Sequence, residues 1–214
     1  MKQRPAALIA DIVDSRELSD RRSAQAAILD TFDRAHQIEG FTRRAWPTVG
    51  DEFQAVLPSV GAAVRATTVI RLALPDGVDL RFGIGRGAVW AVDSEGPTSI
   101  QDGPGWWSAR RAIDETHRRQ GSGSRYLRSW FADGSEPPDV TLEHLVNSHL
   151  LLRDMSISSM SPREKRLALG TLDGRTQAGL AAEEGISQSA VSQSLARSGA
   201  GALLGSYSLL EDVA

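Results

Sequence analysis

The 214-residue chain contains no cysteine. That excludes disulfides, thiolate metal sites and a cysteine nucleophile together. No apolar run approaches transmembrane length, and the start, Met1 to Pro5, lacks the apolar core and cleavage site of a signal peptide, so a cytoplasmic location is expected. Neither sign of charge is in large excess: the formal net charge is −3, and any contact with nucleic acid must come from a local patch. There is no Gly-x-x-x-x-Gly-Lys loop and no Ser/His/Asp constellation, and His36, His117, His144 and His149 show no metal-ligand spacing. No internal repeat is visible. What remains is ordinary for a globular protein, with 41% apolar and 24% charged residues, enough for one good core and a smaller module.

The periodicities give an α+β chain. Ala6–Val13 is dense in apolar residues and reads as a central strand. Leu18, Ala24, Ala27, Ile28, Phe32, Ala35 and Ile38 keep close to a 3.6-residue period, a long amphipathic helix that Gly40 can end. Phe41–Trp46 and Asp51–Leu57 form a strand pair, Val60–Leu74 a helix stopped by Pro75, Asp79–Val92 a glycine-containing strand, and Gly103–Arg119 a further helix. The order β-α-β-β-α-β is the split ferredoxin-like arrangement, which sets the first and third strands side by side at the centre. Breaker clusters follow at 118–125 and 133–138, then an apolar helix carrying Leu142, Leu145, Val146, Leu150 and Leu151. Residues 1–135 are therefore expected as one domain, 136–160 as a connector and 161–214 as a run of short helices.

Two acidic signatures carry the chemistry: Leu-Ile-Ala-Asp-Ile-Val-Asp-Ser at 8–15 and Val-Gly-Asp-Glu-Phe-Gln-Ala-Val at 49–56. A carboxylate at the end of a buried strand needs charge compensation, and Mg²⁺ or Mn²⁺ supplies it while keeping a phosphate as a further partner. The topology brings Asp11 toward Asp51 and Glu52, with the Ile12 carbonyl able to complete a shell. The bland alternative has Asp11 and Asp14 capping the strand-to-helix turn and Asp51 a hairpin, all solvated. Arg81, Arg86 and the basic stretch from Arg110 to Arg128 either cradle a triphosphate or a nucleic-acid backbone, or are solvated. Trp106 and Trp107 point about 100° apart on a helix, so Trp107 either stacks on a base or packs, like Trp106, against its neighbours.

The C-terminal run from Thr176 to Leu195 reads as a helix-turn-helix. Ala181 lets two helices cross, Gly185 turns the chain, Ser187 caps the second helix, and Ile186, Val191 and Leu195 hold it down. Its outward residues are then Gln188, Ser189, Ser192 and Gln193, with Ser187 and Arg197 at its ends. Gln suits adenine, and Ser several base edges or phosphates.

The blocks Ala-Asp-Ile-Val-Asp-Ser, Gly-Asp-Glu-Phe-Gln-Ala, Arg81-Phe82-Gly83-Ile84-Gly85-Arg86-Gly87 and Gly103-Pro104-Gly105 with Ala109-Arg110-Arg111 resemble the SatD family. In order they are also similar to class III nucleotidyl cyclases, over roughly residues 6–119, and Gly-Asp-Glu-Phe resembles the diguanylate cyclase signature. This resemblance implies a nucleotidyl cyclase-like palm with metal aspartates at Asp11 and Asp51 and a phosphate-neutralising arginine at Arg111, or Arg110 in a shifted register. Two positions depart from it: Trp107 stands where cyclases carry a ribose-orienting asparagine, and Pro47 where many carry a base-reading lysine. The chain thus reads as a homodimeric DNA-binding transcriptional regulator whose palm binds a nucleotide with Mg or Mn, Arg81, Trp107, Arg110 and Arg111 facing the nucleotide. An active cyclase or nucleotide polymerase, using Asp11, Asp51 and Arg111, is the first alternative; a degenerate palm serving only dimerisation is the second.

Overall fold

Strand alternation decides which face of a sheet each side chain takes, and here it positions the site. A computed structural model describes residues 4–18, 20–48, 51–92 and 100–211. In chain order its first elements are β1 (Ala6–Ile12), α1 (Arg21–Glu39), β2 (Arg43–Pro47), β3 (Glu52–Leu57), α2 (Val60–Ala73) and β4 (Leu80–Arg86). A short hairpin, β5 (Trp90–Ala91) and β6 (Gln101–Asp102), leads to α3 (Pro104–Gly121), then β7 (Ser129–Asp133) and α4 (Val140–Ser159). The chain finishes with α5 (Pro162–Leu172), α6 (Gln177–Glu184), α7 (Gln188–Arg197) and α8 (Ala200–Leu209).

The main sheet has the order β2-β3-β1-β4-β7, its first four strands in the split ferredoxin-like order. Strand β1 pairs antiparallel with both β3 and β4, and β7 adds in parallel to β4 at the edge. Leu8, Ala10 and Ile12 enter the larger core with Phe32, Phe53, Ile70 and Phe82 under α1 and α2, while Ala7 and Ile9 pack on the other face against Trp106, Ala109 and Ile113 of α3. Each fully buried side chain of this size contributes about 1.5–3 kcal/mol. The caps follow the sequence: the Asp20 carboxylate accepts from the Ser23 amide at the start of α1, Gly40 ends that helix in the left-handed region (φ 60°), and Ser59 caps α2.

Glycine lets α3 lie on the sheet. A Cβ at Gly83 would sit 2.2 Å from the Ala109 carbonyl oxygen, and one at Gly85 2.2 Å from the Ala109 amide nitrogen. The strand expected over Asp79–Val92 is interrupted after Arg86, where Gly87 (φ 157°) passes within contact of Gly105. The turn residues Val49 and Gly50 lie outside the described residues.

Strand β7 was not expected; the Gly/Ser- and Arg-rich approach hides a five-residue strand whose partner is distant in sequence. Helix α4 closes its free edge with side chains: Asn147 accepts from the Phe131 amide (2.8 Å) and donates to the Phe131 carbonyl (2.9 Å), and the Glu143 carboxylate accepts from the Asp133 amide (2.6 Å). Facing the sheet core, the Asp154 carboxylate lies between Arg153 and Arg71, all three buried, and accepts from the Arg128 amide (2.7 Å). The C-terminal helices continue the same core, with Leu167, Leu180, Val191, Leu195 and Leu203 in one cluster with the sheet side chains. Arg34 pairs with Asp173, and the Tyr207 hydroxyl donates to Glu39, which also holds Arg65 at 2.6 Å. No helix among the described residues is long and apolar enough to cross a membrane.

Candidate functional site

The site forms where one face of α3 crosses the C-terminal end of β1. Asp11 follows Ala7 and Ile9 in the alternation and points toward α3. Its register partners are Glu52 on β3 and Arg81 on β4. From above, α3 contributes residues a turn or two apart. Arg110 Nη2 lies 2.7 Å from Glu52 Oε2, and His117 Nε2 lies 2.5 Å from Asp11 Oδ2. Arg81 Nη1 stands 3.6 Å from Asp11 Oδ1, its Nε donating to the Gln120 side chain. Thr48 and Gln54 donate to Glu52 Oε1 at 3.4 and 3.0 Å.

Two observations define the electrostatics. Burial pushes the Asp11 carboxyl above its ordinary range, against the opposing pull of His117 and Arg81, and the charge of Asp51 pushes it further. Asp11 Oδ1 is buried and accepts no hydrogen bond among the described residues. A carboxylate raised by burial and by a second carboxylate is relieved by a cation, a part that Arg81 Nη1 takes from 3.6 Å. The described residues bring no three His, Cys, Asp or Glu side chains together as a protein-only cage. Mg²⁺ does not require one, since it is usually held through one or two carboxylates with phosphate and water as its other ligands. Asp11 and Asp51, close enough that the charge of Asp51 raises the Asp11 pKa, are the carboxylates that would hold such an ion.

The expected residues divide between two faces. Glu52, rather than Asp51, stands opposite Asp11 in the β1–β3 register. Asp51 and Ile12 line a small cleft of about 270 Å³ with Ser15, Arg16 and Arg21, on the α1 side. Asp14 has a left-handed backbone (φ 50°) and makes no side-chain cap, so the capping alternative does not describe it. Arg110 reaches the Asp11 end, whereas Arg111 turns to the other flank of α3, donating to the Asp133 carbonyl (3.1 Å) and lying 3.5 Å from Glu143. One helical step of 100° separates these two neighbours. The tryptophan pair splits in the same manner: Trp106 is buried edge-on against Trp46, and Trp107 is 60% exposed, its indole donating to Asp102 (2.7 Å). Trp107, Arg110 and Arg111 also line a groove of about 910 Å³ between α3 and α4, with Arg118, Arg119 and Trp130. Arg86 is committed elsewhere, gripping Asp133 at 2.8 and 2.7 Å.

His117 was missed in the sequence, where histidines were weighed only for metal-ligand spacing. The available signal was Arg110, Asp114 and His117 at i, i+4 and i+7, one face of the helix that covers β1.

In the C-terminal half, Thr176 caps α6 and Gly185 ends it in the left-handed region (φ 65°). The Ser187 hydroxyl accepts from the Ala190 amide (3.2 Å) and starts α7. Val191 and Leu195 are buried, while Ser187, Gln188, Ser189, Ser192, Gln193 and Arg197 are all exposed. Nearby arginines are engaged, Arg166 with Glu184 at 2.7 Å and Arg175 with Glu183.

The model of the SatD family matches residues 6–206. No curated protein matches the chain significantly. Among solved structures, the guanylyl cyclase domain of the RhoGC fusion protein from the aquatic fungus Blastocladiella emersonii is 16% identical, covering 53% of this chain and 74% of that one, with a TM-score of 0.42. The guanylate cyclase domain of RhGC from Catenaria anguillulae, determined with GTP, is 17% identical over 53% of this chain and 73% of that one, at 0.40. A bacterial light-regulated adenylyl cyclase is 14% identical over 61% and 43%, at 0.46. Likeness at this level assigns no role to any residue.

Proposed function

The chain belongs to the SatD family, and we propose that this member is a DNA-binding transcriptional regulator, a homodimer whose sheet half binds a nucleotide with Mg²⁺ or Mn²⁺. The observation that carries the reading is the outward face of α7. Every polar residue expected to read DNA is exposed there, and the apolar residues of the same helix are buried beneath it. In this reading α6 and α7 are the helix-turn-helix, and α7 enters the major groove. Gln188 and Gln193 present amides able to pair bidentately with adenine, and the serines contact base edges or phosphates. Few unpaired arginines surround them, so a single copy binds weakly and two copies on paired half-sites are needed.

On the sheet half, Asp11 Oδ1 and Asp51 would hold the ion, which would neutralise the phosphates bridging to it. Arg81 and Arg110 would meet phosphate oxygens by charge-assisted hydrogen bonds, and His117 would hold the Asp11 carboxylate in place. The turnover alternative has less support, since Arg111, the arginine it assigns to the phosphates, bonds toward α4. Selection from a random duplex library with the full-length chain tests the regulator reading. A sequence should be enriched, and more strongly or weakly when a nucleotide and Mg²⁺ are added; no enrichment in either condition contradicts it.

A further inference from the structure

Helix α4 buries one face on the sheet and leaves another uncovered. Thr141, Leu145, Ser148, Leu152, Met155 and Ser159 recur at alternating spacings of four and three and are all exposed. Leu145, Leu152 and Met155 are exposed by 66%, 75% and 54%. A 3.5-residue repeat has the spacing of a helix-pair seam, here with Leu145, Leu152 and Met155 as its apolar members. The exposed surface is also free of charge. Between Leu145 and Met160 the only charged residues are Arg153 and Asp154, both buried, and from Ser198 to Leu210 there are none. The seam hydroxyls need no solvent: Ser148 donates to the His144 carbonyl (2.7 Å) and Ser159 to the Ser156 carbonyl (2.8 Å). Beside the seam, α4 and α8 enclose a mostly apolar groove of about 270 Å³ with small residues on part of its wall (Gly199, Ala202 and Ser206) and the His149 and Arg153 side chains also lining it.

We infer that this α4–α8 face is where a second copy of the chain docks, which deepens the homodimer part of the proposed function by naming its interface. Three features select a second copy as the occupant. A face without charge complements only another such face, and this chain presents one. The seam repeat is self-complementary about a two-fold axis, as an isologous interface requires. The projecting Leu145 and Leu152 are knobs, and the α4–α8 groove is a hole of matching character. The area is that of a small interface: α4 is about 30 Å long and α8 about 15 Å, so the face measures roughly 450 Å² in plan before side-chain corrugation, against the ~800 Å² per partner that stable interfaces bury.

The test is the mass of the full chain by sedimentation equilibrium, without DNA or nucleotide, so that failure of the DNA reading leaves the result standing. The wild type should show twice the 23.0 kDa chain mass. Leu152→Glu and Leu145→Glu, both at exposed positions, should weaken self-association at least tenfold with an unchanged circular dichroism spectrum. Val92→Glu, at an exposed apolar position in the β5–β6 region, should remain a dimer. A monomeric wild type, a fully dimeric Leu152→Glu protein, or a Val92→Glu protein that dissociates would overturn the inference.

Discussion

At the scale of single residues, the chain is decided by what a position leaves out and by what burial does to a charge. Gly83 and Gly85 leave out a side chain, because the backbone of α3 occupies that space. Gly85→Ala must push backbone against backbone, and overpacking of that kind costs about 3 kcal/mol or more. For a chain of this length the melting temperature should fall by roughly 6 °C or more, read by thermal unfolding followed by circular dichroism. Asp11 is the converse case. Burial raises its folded pKa, with Asp51 adding to the effect, so the folded state holds the proton more tightly than the unfolded chain. Its contribution to stability therefore falls as pH rises above the ordinary carboxylate range, and at neutral pH the charge is a strain that a cation relieves. Asp11→Asn should abolish the part of the nucleotide-induced rise in melting temperature that depends on Mg²⁺ or Mn²⁺, since only a ligand of the native state stabilises it. Retention of the full metal-dependent rise would remove Asp11 from the site.

At the scale of elements, α4 works on three sides. It seals the β7 edge, buries an Arg-Asp-Arg cluster against the sheet and carries α8. His149 marks the last contact, with Nδ1 3.0 Å from the Ser206 hydroxyl and Nε2 buried with no hydrogen bond among the described residues. Burial, then the Arg153 charge, depress its pKa to about 4, with Asp154 opposing them. A depressed histidine adds stability that is fully present above about pH 6.5 and is lost as pH falls toward 4, because the unfolded chain then takes up the proton first. Discounted for the water that reaches the ring, the loss is of the order of 1–2 kcal/mol. Urea unfolding between pH 4 and 7 should show this slope, and His149→Leu should flatten it. An unchanged slope in that variant would assign the dependence to other groups.

At the scale of the whole molecule, the order of the first six elements was legible because each has a clean period and a breaker: Gly40 after α1, Pro75 after α2, glycines along β4. The meeting of Asp11 with the β2–β3 hairpin followed from that order. Its finer content did not. Alternation sets Glu52 across from Asp11, which a one-residue difference in register reverses. Arg110 and Arg111 differ by a single helical step, and His117 acquires its role only because α3 lies across β1. Strand β7 and the shared core of sheet and C-terminal helices depend on packing between distant segments, such as α5 against α2, and no local pattern announces them. The C-terminal capping residues Thr176, Gly185 and Ser187 were legible because each acts on its own helix.

The central claim is that α7 reads DNA, and fluorescence anisotropy on the duplex enriched from the random library tests it most directly. Wild-type protein should prefer that duplex over scrambled sequence, with affinity falling as salt rises. Gln188→Ala combined with Gln193→Ala should lose about tenfold or more of that preference, each lost bidentate contact being worth about 1–3 kcal/mol of discrimination, while weak binding to scrambled duplex persists. Equal preference in the wild type and the double variant would contradict the account.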